Sequence, residues 1–573
     1  MFPLHASLTP ELRKELKEYD DLIAALLARR GVTTKAEAEL FLKPSYDLHL
    51  HDPLLMTDMQ KAADRFAKAI LSGEKIAAWT DYDCDGIPAA VVLHDFLKKT
   101  GANFENYIPH RHDEGYGVNK NGLTELSKRG VTLVVTADSG ITDVDAVAHA
   151  KSLGMDVIVT DHHLPGEKLP DAFAVVNPNA RVDETYPFKG LCGAGVAWKL
   201  CCAVLLVSPE LREKVPAGWE KWLLDMVGLA TVADMVPLTG ENRVLVTYGL
   251  RVLRKSPRIG LQKLCRGMRV DQSKITEDDI GFMIAPRVNA ASRMGDAVEA
   301  FKLFTTTSED EADTLSKKLE ALNRQRKAQA GAITRAVHER IKERGEVRSV
   351  IALGDPAWRP AMLGLVANSI ADEFERPVFL WGREGNGSLK GSVRSGSVHA
   401  LELMSLAENI FEQFGGHAAS GGFTVKDSEV FFLEDRLVDA LARMSPTEGK
   451  DVLASHADAV LTPEELTLGL LRNIEMLAPF GQGNAKPQFL LRGANVSGVA
   501  RFGKAEEHVK LKIDSGDSRG TIDAITFFAK GPLARTAEAL AHGGSANILA
   551  QLERDMFSRG QPVRLRLVDV KLV

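Results

Sequence analysis

The stretch Lys75–Gly86 decides the fold, and it reads Lys-Ile-Ala-Ala-Trp-Thr-Asp-Tyr-Asp-Cys-Asp-Gly. Its first half is short and apolar, which is typical of a strand buried on both faces of a parallel sheet. Asp81, Asp83 and Asp85 follow that strand, and Gly86 lets the backbone turn into a helix. Alternate residues of an extended segment point the same way, so we expect the three carboxylates to project together.

Two further apolar runs end in polar clusters. Leu133–Thr136 leads to Asp138, and a later run leads to Asp161, His162 and His163. In an open α/β sheet, side chains beyond the carboxyl ends of the strands converge in one crevice. Carboxylates gathered there would repel one another unless cations lay between them. The sequence therefore predicts a metal site, and oxygen ligands with imidazoles favour Mn²⁺ or Mg²⁺.

A site of this kind indicates a reaction class. Two divalent ions about 3.5 to 4 Å apart can generate hydroxide and clamp the attacking and leaving oxygens of a phosphoryl centre. Each cluster alone has an ordinary interpretation, such as a solvated turn or a helix N-cap. Their joint occurrence at three predicted strand ends favours phosphoester hydrolysis.

The composition sets outer limits. With 573 residues, 45% of them hydrophobic and 26% charged, the chain exceeds the size of one hydrophobic core. The formal charge of −6 means that a polyanion must be held by a local basic patch or by metal. Five cysteines without CxxC pairs fit a reducing, cytoplasmic compartment. We expect no secretory signal and no membrane association, because no uncharged apolar run approaches a membrane-spanning length.

The later part of the chain changes in pattern. Ser308–Arg344 predicts a single helix with a capping box formed by Ser308 and Glu311. At about 1.5 Å per residue it reaches roughly 55 Å, so it connects two domains. Beyond it, Lys510 and Lys512 alternate with apolar residues, as Arg564 and Arg566 do. One face of each strand is basic, as expected for a small barrel that binds nucleic acid.

The ordered motifs Asp-Tyr-Asp-x-Asp-Gly, Asp-Ser-Gly and Asp-His-His resemble those of the DHH phosphoesterase superfamily. Gly228–Leu238 matches a fourth motif of that family. Pro286–Arg293 and the later Gly415-Gly416-His417 narrow the resemblance to its branch of single-strand-specific 5′ to 3′ exonucleases. The similarity runs from about residue 50 to the end.

The resemblance implies a fold of five segments. We expect an N-terminal helical lead-in (1–50), a parallel-sheet DHH catalytic domain (51–305), a connecting helix (306–345), a second, smaller α/β substrate-binding domain (346–450) and a C-terminal β-barrel of the OB-fold type (451–573).

It also implies roles at the acidic clusters. The implied metal ligands are Asp83, Asp85, Asp138, His162 and Asp234, with Asp138 bridging two ions. Asp81, Asp161 and His163 are expected to be catalytic. His163 would stabilise the charge that develops on the scissile phosphate. Whether Asp81 and Asp161 bind metal or orient its ligands stays open at this point.

The implied substrate contacts lie elsewhere in the chain. Ser392, Arg394 and one of the two arginines that flank Asn289, Arg287 or Arg293, are expected to bind the terminal 5′-phosphate. The other expected substrate-binding residues are Arg111, Tyr116, Gly415, Gly416, His417, Lys510 and Lys512. Among these, Tyr116 would stack on a base, and the glycines would offer backbone amides to phosphate.

The leading hypothesis is processive degradation of single-stranded DNA from its 5′ end to mononucleotides, with two Mn²⁺ or Mg²⁺ ions, in recombination and repair. One alternative is hydrolysis of oligoribonucleotides or cyclic dinucleotides, which needs no barrel domain. Another is a non-catalytic single-strand-binding scaffold of replication, which the intact acids disfavour. The resemblance also suggests a single-stranded-DNA-binding protein and a helicase as partners.

Overall fold

Four short helices open the chain in the computed structural model, which describes residues 2–385, 387–444, 456–503, 506–517, 520–529, 531–555 and 563–573. They are α1 (Pro10–Glu15), α2 (Asp21–Arg29), α3 (Lys35–Leu42) and α4 (Tyr46–His49). Leu27 and Phe41 share a hydrophobic core with Leu466 of the C-terminal domain. Arg29 also donates hydrogen bonds to the carbonyl and the carboxylate of Asp458. Most of the predicted lead-in therefore packs with the C-terminal domain, whereas Tyr46 of α4 and Leu50 pack against the core of the first α/β domain.

A five-stranded sheet forms the centre of the first α/β domain. Its strands are β1 (Lys75–Thr80), β2 (Asn103–Tyr107), β3 (Leu133–Ala137), β4 (Asp156–Thr160) and β5 (Ala174–Val176). They lie in the order β2-β1-β3-β4-β5, and every neighbouring pair is parallel. The predicted parallel sheet is confirmed.

Helices cover both faces of this sheet because its strands are apolar on both sides. The helices of the domain are α5 (Met59–Ser72), α6 (Gly86–Thr100), α7 (Lys120–Lys128), α8 (Val144–Ser152), α9 (Gly193–Val207), α10 (Pro209–Lys214), α11 (Leu224–Ala233), α12 (Gly240–Leu253), α13 (Ile259–Met268), α14 (Glu277–Asp279), α15 (Ala285–Met294) and α16 (Val298–Thr305). Ile76 and Ala78 face the core formed with α5, α6 and α9. Ala77 and Trp79 face the smaller core formed with α7 and α8.

The predicted long helix is present as α17 (Glu309–Arg344), with 36 residues. Ser308 caps it by accepting a hydrogen bond from the Glu311 N–H, and Gly345 ends it with φ 76°. The predicted capping box is wrong in one half, because the Glu311 carboxylate accepts from the Thr306 hydroxyl rather than from the Ser308 N–H. The first half of α17 packs in the core of the first domain and the second half in that of the next.

The second α/β domain contains a smaller, mixed sheet. Its strands are β6 (Ile351–Gly354), β7 (Val378–Arg383), β8 (Leu389–Arg394), β9 (Phe411–Gly416) and β10 (Ser420–Val425), and its helices are α18 (Pro360–Phe374), α19 (Ala400–Leu406) and α20 (Leu433–Arg443). The order is β6-β7-β8-β10-β9, in which β6 and β7 are parallel and the other neighbours antiparallel.

The C-terminal domain is a closed barrel. Its elements are β11 (Ala459–Val460), α21 (Leu468–Glu475), β12 (Phe489–Phe502), β13 (His508–Asp514), β14 (Thr521–Thr526), α22 (Gly531–Ala539), β15 (Gly544–Arg554) and β16 (Val563–Leu572). Five strands follow one another in the order β12-β13-β14-β16-β15, and the pairing of β12 with β15 closes the barrel. This confirms the predicted β-barrel, although the predicted boundary at residues 450 and 451 lies outside the described residues.

A search of the described helices for membrane spans found none with the length and apolar character required.

Candidate metal centre and substrate cleft

The acidic clusters meet at the point where the strand order of the sheet reverses. β1 lies between β2 and β3, so consecutive crossovers run to opposite sides of it, which is the position where α/β sheets bind ligands. Asp81 directly follows β1, Asp138 follows β3 and Asp161 follows β4. Asp234 lies at the C-terminal end of α11, as its C-cap residue. The topology therefore brings together side chains that are far apart in sequence.

The backbone around Asp138 is shaped for close approach. Asp138 has φ 61°, which few non-glycine residues adopt and which often marks a functional site. Gly193, at the start of α9, packs directly against it, and a Cβ there would lie 2.5 Å from the Asp138 Cβ. Only glycine fits, because any side chain at residue 193 would displace the carboxylate.

A buried acid and a buried imidazole form the centre of the site. His162 Nε2 lies 3.2 Å from Asp138 Oδ1, 3.7 Å from Asp85 Oδ2 and 3.8 Å from Asp234 Oδ2. Asp138 Oδ1 and His162 Nε2 are both buried, and neither has a hydrogen-bond partner among the described residues. Buried polar atoms without partners are costly, and a cation between them would satisfy both.

Three groups of side chains could each hold an ion. They are Asp81, Asp83 and Asp138; Asp85, His162 and Asp234; and Asp138, His162 and His163. Within each group the potential ligand atoms lie within 4.8 Å of one another. Asp138 belongs to two of them, as a bridging ligand would. Carboxylate and imidazole donors of this kind suit Mn²⁺ or Mg²⁺.

The electrostatics also require positive charge. Burial and the neighbouring carboxylates raise the pKa of Asp138 and Asp81 well above the usual range and that of Asp234 to about 8. Burial lowers the pKa of His162, which keeps its imidazole neutral and able to bind metal. Bound cations would stabilise the ionised carboxylates in place of protons.

The Asp161 carboxylate differs from the other acids because its oxygens accept several hydrogen bonds. It accepts hydrogen bonds from the Ile141 N–H (3.0 Å), the His162 N–H (2.7 Å), the His163 N–H (3.1 Å) and the His163 ring Nδ1 (2.8 Å). Burial opposes ionisation, but the bonds from His163 lower the pKa of Asp161. Burial likewise opposes charge on His163, yet Asp161 raises its pKa to about 9. This arrangement favours an orienting role for Asp161. Asp81 Oδ1, in contrast, is buried without a hydrogen-bond partner among the residues that the structure describes, so it is available to bind an ion.

Backbone amides fix the remaining acids. Asp83 Oδ1 accepts from the N–H groups of Asp85 and Gly86, and Asp85 accepts from those of Gly193 and Ala194 at the start of α9. The Asn289 side chain accepts from the Cys84 N–H at 3.0 Å. Asn289 thus supports the acidic loop through its oxygen, while its expected contact with substrate stays a prediction.

Arginines gather beside the acids, between the two α/β domains. Burial and the nearby guanidinium groups of Arg111, Arg326 and Arg394 lower the pKa of Arg293 to about 10. Arg293 donates to the Ala361 carbonyl at the start of α18. In the described part of the chain none of these four arginines forms an ion pair with an acid. Cations crowded together in this way attract an anionic ligand.

The second domain contributes Ser392 and Arg394 to the same cleft. A Cβ on Gly364 would lie 2.8 Å from an Arg394 nitrogen and 3.6 Å from Ser392 Oγ, so both side chains pack against this face of α18. Arg287 is used differently, since it is buried and donates to Glu320 of α17 and to the Met283 carbonyl. Arg326 on α17 was missed by the sequence analysis, because nothing in a helical charge pattern shows which charges face a cleft.

The loop before α7 reaches the metal centre. The Tyr116 hydroxyl lies 3.3 Å from both the Asp138 carbonyl and His163 Nδ1, and its ring is about half exposed. Arg111 lies over the Tyr82 ring at 4.8 Å. Tyr116 therefore borders the reaction site itself, and its stacking on a base stays a prediction.

The glycine run of the second domain lies in a tight hairpin. Gly416 has φ 149°, and a Cβ there would lie 2.3 Å from the Ser420 carbonyl oxygen of the paired strand. The His417 N–H donates to that same carbonyl at 2.7 Å. The His417 amide is therefore occupied within the hairpin, and the expectation that the glycine amides meet phosphate stays a prediction. Gly415, Gly416 and His417 are exposed, so their side of the hairpin stays a candidate surface.

The barrel presents a mixed basic and aromatic face. Lys512 is exposed, Lys510 pairs with Asp523 at 3.1 Å, and Arg566 lies over the Phe527 ring at 4.6 Å. An aromatic cluster adjoins these residues and contains Phe502, His508, Phe527 and Phe528. Phe528 is 66% exposed. The sequence analysis missed Phe527 and Phe528, although two adjacent aromatic residues after an alternating strand were a usable signal.

The parallel sheet, the acid and histidine cluster at its switch point and the mixed second domain together define a DHH-type phosphoesterase. Family models match in the same order: the DHH family N-terminal domain at residues 75–231, the DHHA1 domain at 347–445 and the RecJ OB domain at 457–569. The chain is 36% identical to the single-stranded-DNA-specific exonuclease RecJ of Bacillus subtilis, over 96% of this chain and 67% of that protein. It is 31% identical to the Escherichia coli RecJ, over 89% of each. The chain belongs to the RecJ family.

Solved structures agree. RecJ from Thermus thermophilus in complex with Mn²⁺ superposes with a TM-score of 0.80 at 28% identity, covering 99% of this chain and 78% of that one. The complex of the Thermus protein with Mg²⁺ gives a TM-score of 0.73 at 26% identity, with coverage of 99% and 77%.

Proposed function

We propose that this chain is a metal-dependent exonuclease that is specific for single-stranded DNA and releases mononucleotides from the 5′ end. The observation that carries the proposal is a pair of buried atoms, Asp138 Oδ1 and His162 Nε2, that have no hydrogen-bond partner in the described part of the chain. The acids around this pair are Asp81, Asp83, Asp85 and Asp234. The named activity of the RecJ relatives, single-stranded-DNA-specific exonuclease, supports it.

Within this proposal each side chain has a distinct task. The acids and His162 would hold the divalent ions, and these ions would supply activation of water and positive charge opposite the scissile phosphate. Asp161 holds His163 in one orientation and keeps it cationic, so that His163 stabilises the charge that develops in the transition state. The Tyr116 hydroxyl borders His163 and limits the space in which the phosphate lies.

The polarity of degradation follows from the arginine cluster. A terminal 5′-phosphate carries more charge than an internal phosphodiester, and Arg111, Arg293 and Arg394 provide cations without acid partners in the described structure. Arginine matches phosphate oxygens with two parallel hydrogen bonds. An end seated there brings the adjacent phosphodiester to the metal centre, and a 3′ end lacks the group that this pocket recognises.

The same proposal includes the domain bounds given above, a cytoplasmic location, and work in recombination and repair beside a single-stranded-DNA-binding protein and a helicase. The activity is tested by digesting the same oligonucleotide in two forms, one labelled at the 5′ end and one at the 3′ end, with Mn²⁺ or Mg²⁺. Mononucleotides should appear first from the 5′ label. Release from the 3′ end, preference for blunt duplex, or faster turnover of a diribonucleotide than of a long strand would reject it.

A further inference from the structure

The C-terminal domain reaches the first domain next to one of the metal ligands. The loop Leu477–Asn484, which enters the barrel domain, seats its turn at Gly481–Gly483 on Pro237 and Leu238. The Leu238 N–H donates to the Gln482 carbonyl at 2.7 Å. This contact lies only three and four residues after Asp234.

The Asp234 carboxylate has fewer constraints than those of Asp83, Asp85 and Asp161. Asp83, Asp85 and Asp161 each accept backbone hydrogen bonds, whereas in the described structure the Asp234 carboxylate accepts none. Its main chain is fixed on one side by α11, where its N–H donates to the Ala230 carbonyl. On the other side Met235 takes a positive φ of 60° and is 71% exposed. The direction of the Asp234 side chain therefore depends on how residues 235–238 are held.

The core of the first domain holds part of that segment, since Leu238 belongs to it and Val236 packs against it. Two further contacts constrain Pro237 and Leu238. Asn242 of the same domain donates to the Pro237 carbonyl at 3.0 Å. The other is the loop of the C-terminal domain, and it fits closely, since a Cβ on Gly481 would lie 2.7 Å from Leu238 Cδ1 and a Cβ on Gly483 3.2 Å from Pro237 Cβ. Leu238 is buried, so its side chain has little room to yield.

The loop is itself rigid. The Gly481 and Asn484 backbones exchange two hydrogen bonds, at 2.9 and 3.0 Å. The fully buried Asn484 amide donates to the carbonyls of Leu477 and Pro479 and accepts from Arg30 of the N-terminal helices. The Phe480 N–H further donates to Glu277 beside α14. Because this loop is rigid and contacts both domains, a displacement of the loop would also displace the residues of the first domain that it touches.

We infer that Gly481, through its contact with Leu238, is a positioning residue for Asp234 and thereby sets the affinity of the metal ion that Asp234 helps to bind. The inference rests on the proposed role of Asp234 as a metal ligand. It assigns the C-terminal domain a second task besides contact with the nucleic acid.

The test uses the full chain and Mn²⁺ alone, followed by electron paramagnetic resonance titration without DNA. Gly481→Ala should weaken the binding of one of the two ions by about tenfold. Leu238→Ala combined with Gly481→Ala removes the clash and should restore most of the affinity, a coupling that a double-mutant cycle measures. Gly469→Ala is the matched control in the same domain, because its Cβ meets only Thr467 Oγ1 at 3.6 Å.

A second measurement separates this inference from the proposed function. Anisotropy of a labelled oligonucleotide in EDTA reports binding of the strand without metal, and Gly481→Ala should leave it within about twofold of the parent. Unchanged Mn²⁺ affinity in Gly481→Ala, or a loss of strand affinity alone, overturns the positioning role. Failure of the parent chain to bind Mn²⁺ would instead reject the metal centre itself.

Discussion

At the metal centre several carboxylates are buried side by side, whereas the described charges of the barrel face are exposed or paired. Asp138 and His162 have buried atoms without hydrogen-bond partners in the described structure, while on the barrel Lys510 pairs with Asp523 and Arg564 with Glu553. A metal site depends on each of its ligands, because removing one weakens the binding of the ion that the others share. An exposed surface shares its binding energy among many weak contacts. Substitutions should therefore have large effects in the first region and small ones in the second.

Asp138→Ala should have the largest effect and is the most stringent test of the difference between the two regions. It removes an oxygen shared by two candidate ion groups, so kcat should fall on the order of 10³-fold. Binding of a single strand in EDTA should change less than about threefold. Asp145→Ala, an exposed acid on α8, is the control and should retain full activity. Hydrolysis that survived Asp138→Ala would point to a contaminating nuclease or to a scaffold function.

Asp161→Asn tests whether an acid acts through its neighbour. The amide keeps the volume but loses the charge that holds His163, so kcat should fall about 10²-fold with little change in KM. In a His163→Ala background the same substitution should cost far less, since the group that it orients is gone. Steady-state kinetics of the four proteins measure this coupling. Fully multiplicative effects would show that Asp161 has an independent role, for example as a metal ligand.

Arg394→Ala examines the cleft between the two α/β domains, where the arginines are half-buried. The ratio of kcat/KM for 5′-phosphorylated over 5′-hydroxyl oligonucleotides should fall about tenfold, as expected for one charge-assisted contact. Arg383→Ala, an exposed arginine at the end of β7, should leave that ratio unchanged. Equal losses on both kinds of end would mean that Arg394 binds an internal phosphate.

Phe528→Ala should have the smallest effect, because it removes one stacking surface from a shared face. The affinity for a 30-nucleotide strand should weaken about five- to tenfold, within the range for one stacked base, while turnover of a trinucleotide stays the same. Phe431→Ala is a matched control, since this phenylalanine of the second domain is 88% exposed. A comparable loss on the trinucleotide would place Phe528 near the catalytic site rather than on a distant track.

The sequence was most informative where local pattern and tertiary position coincide. The strand ends before Asp81, Asp138 and Asp161 follow from apolar runs of the right length, and the parallel sheet then dictates that these residues meet. The roles of Asp161 and Asn289 could not be predicted, because they depend on which amides lie within hydrogen-bond distance. The placement of Arg326 in the cleft depends likewise on the packing angle of α17, which no local pattern contains.

The packing partner of the N-terminal helices was also not predictable from the sequence. Their alternating charged and apolar faces indicate helices but not the surface that covers them. Leu27 and Phe41 are buried against a domain at the other end of the chain, and such distant pairings leave no local signal in a single sequence.

That long-range packing has a consequence for how the protein forms. The helices with Leu27 and Phe41 leave the ribosome long before their apolar partners around Leu466 are synthesised. During this interval their apolar faces remain uncovered, and long-range contacts of this kind slow folding and expose chains to aggregation. We expect the nascent chain to depend on chaperones until the barrel strands emerge.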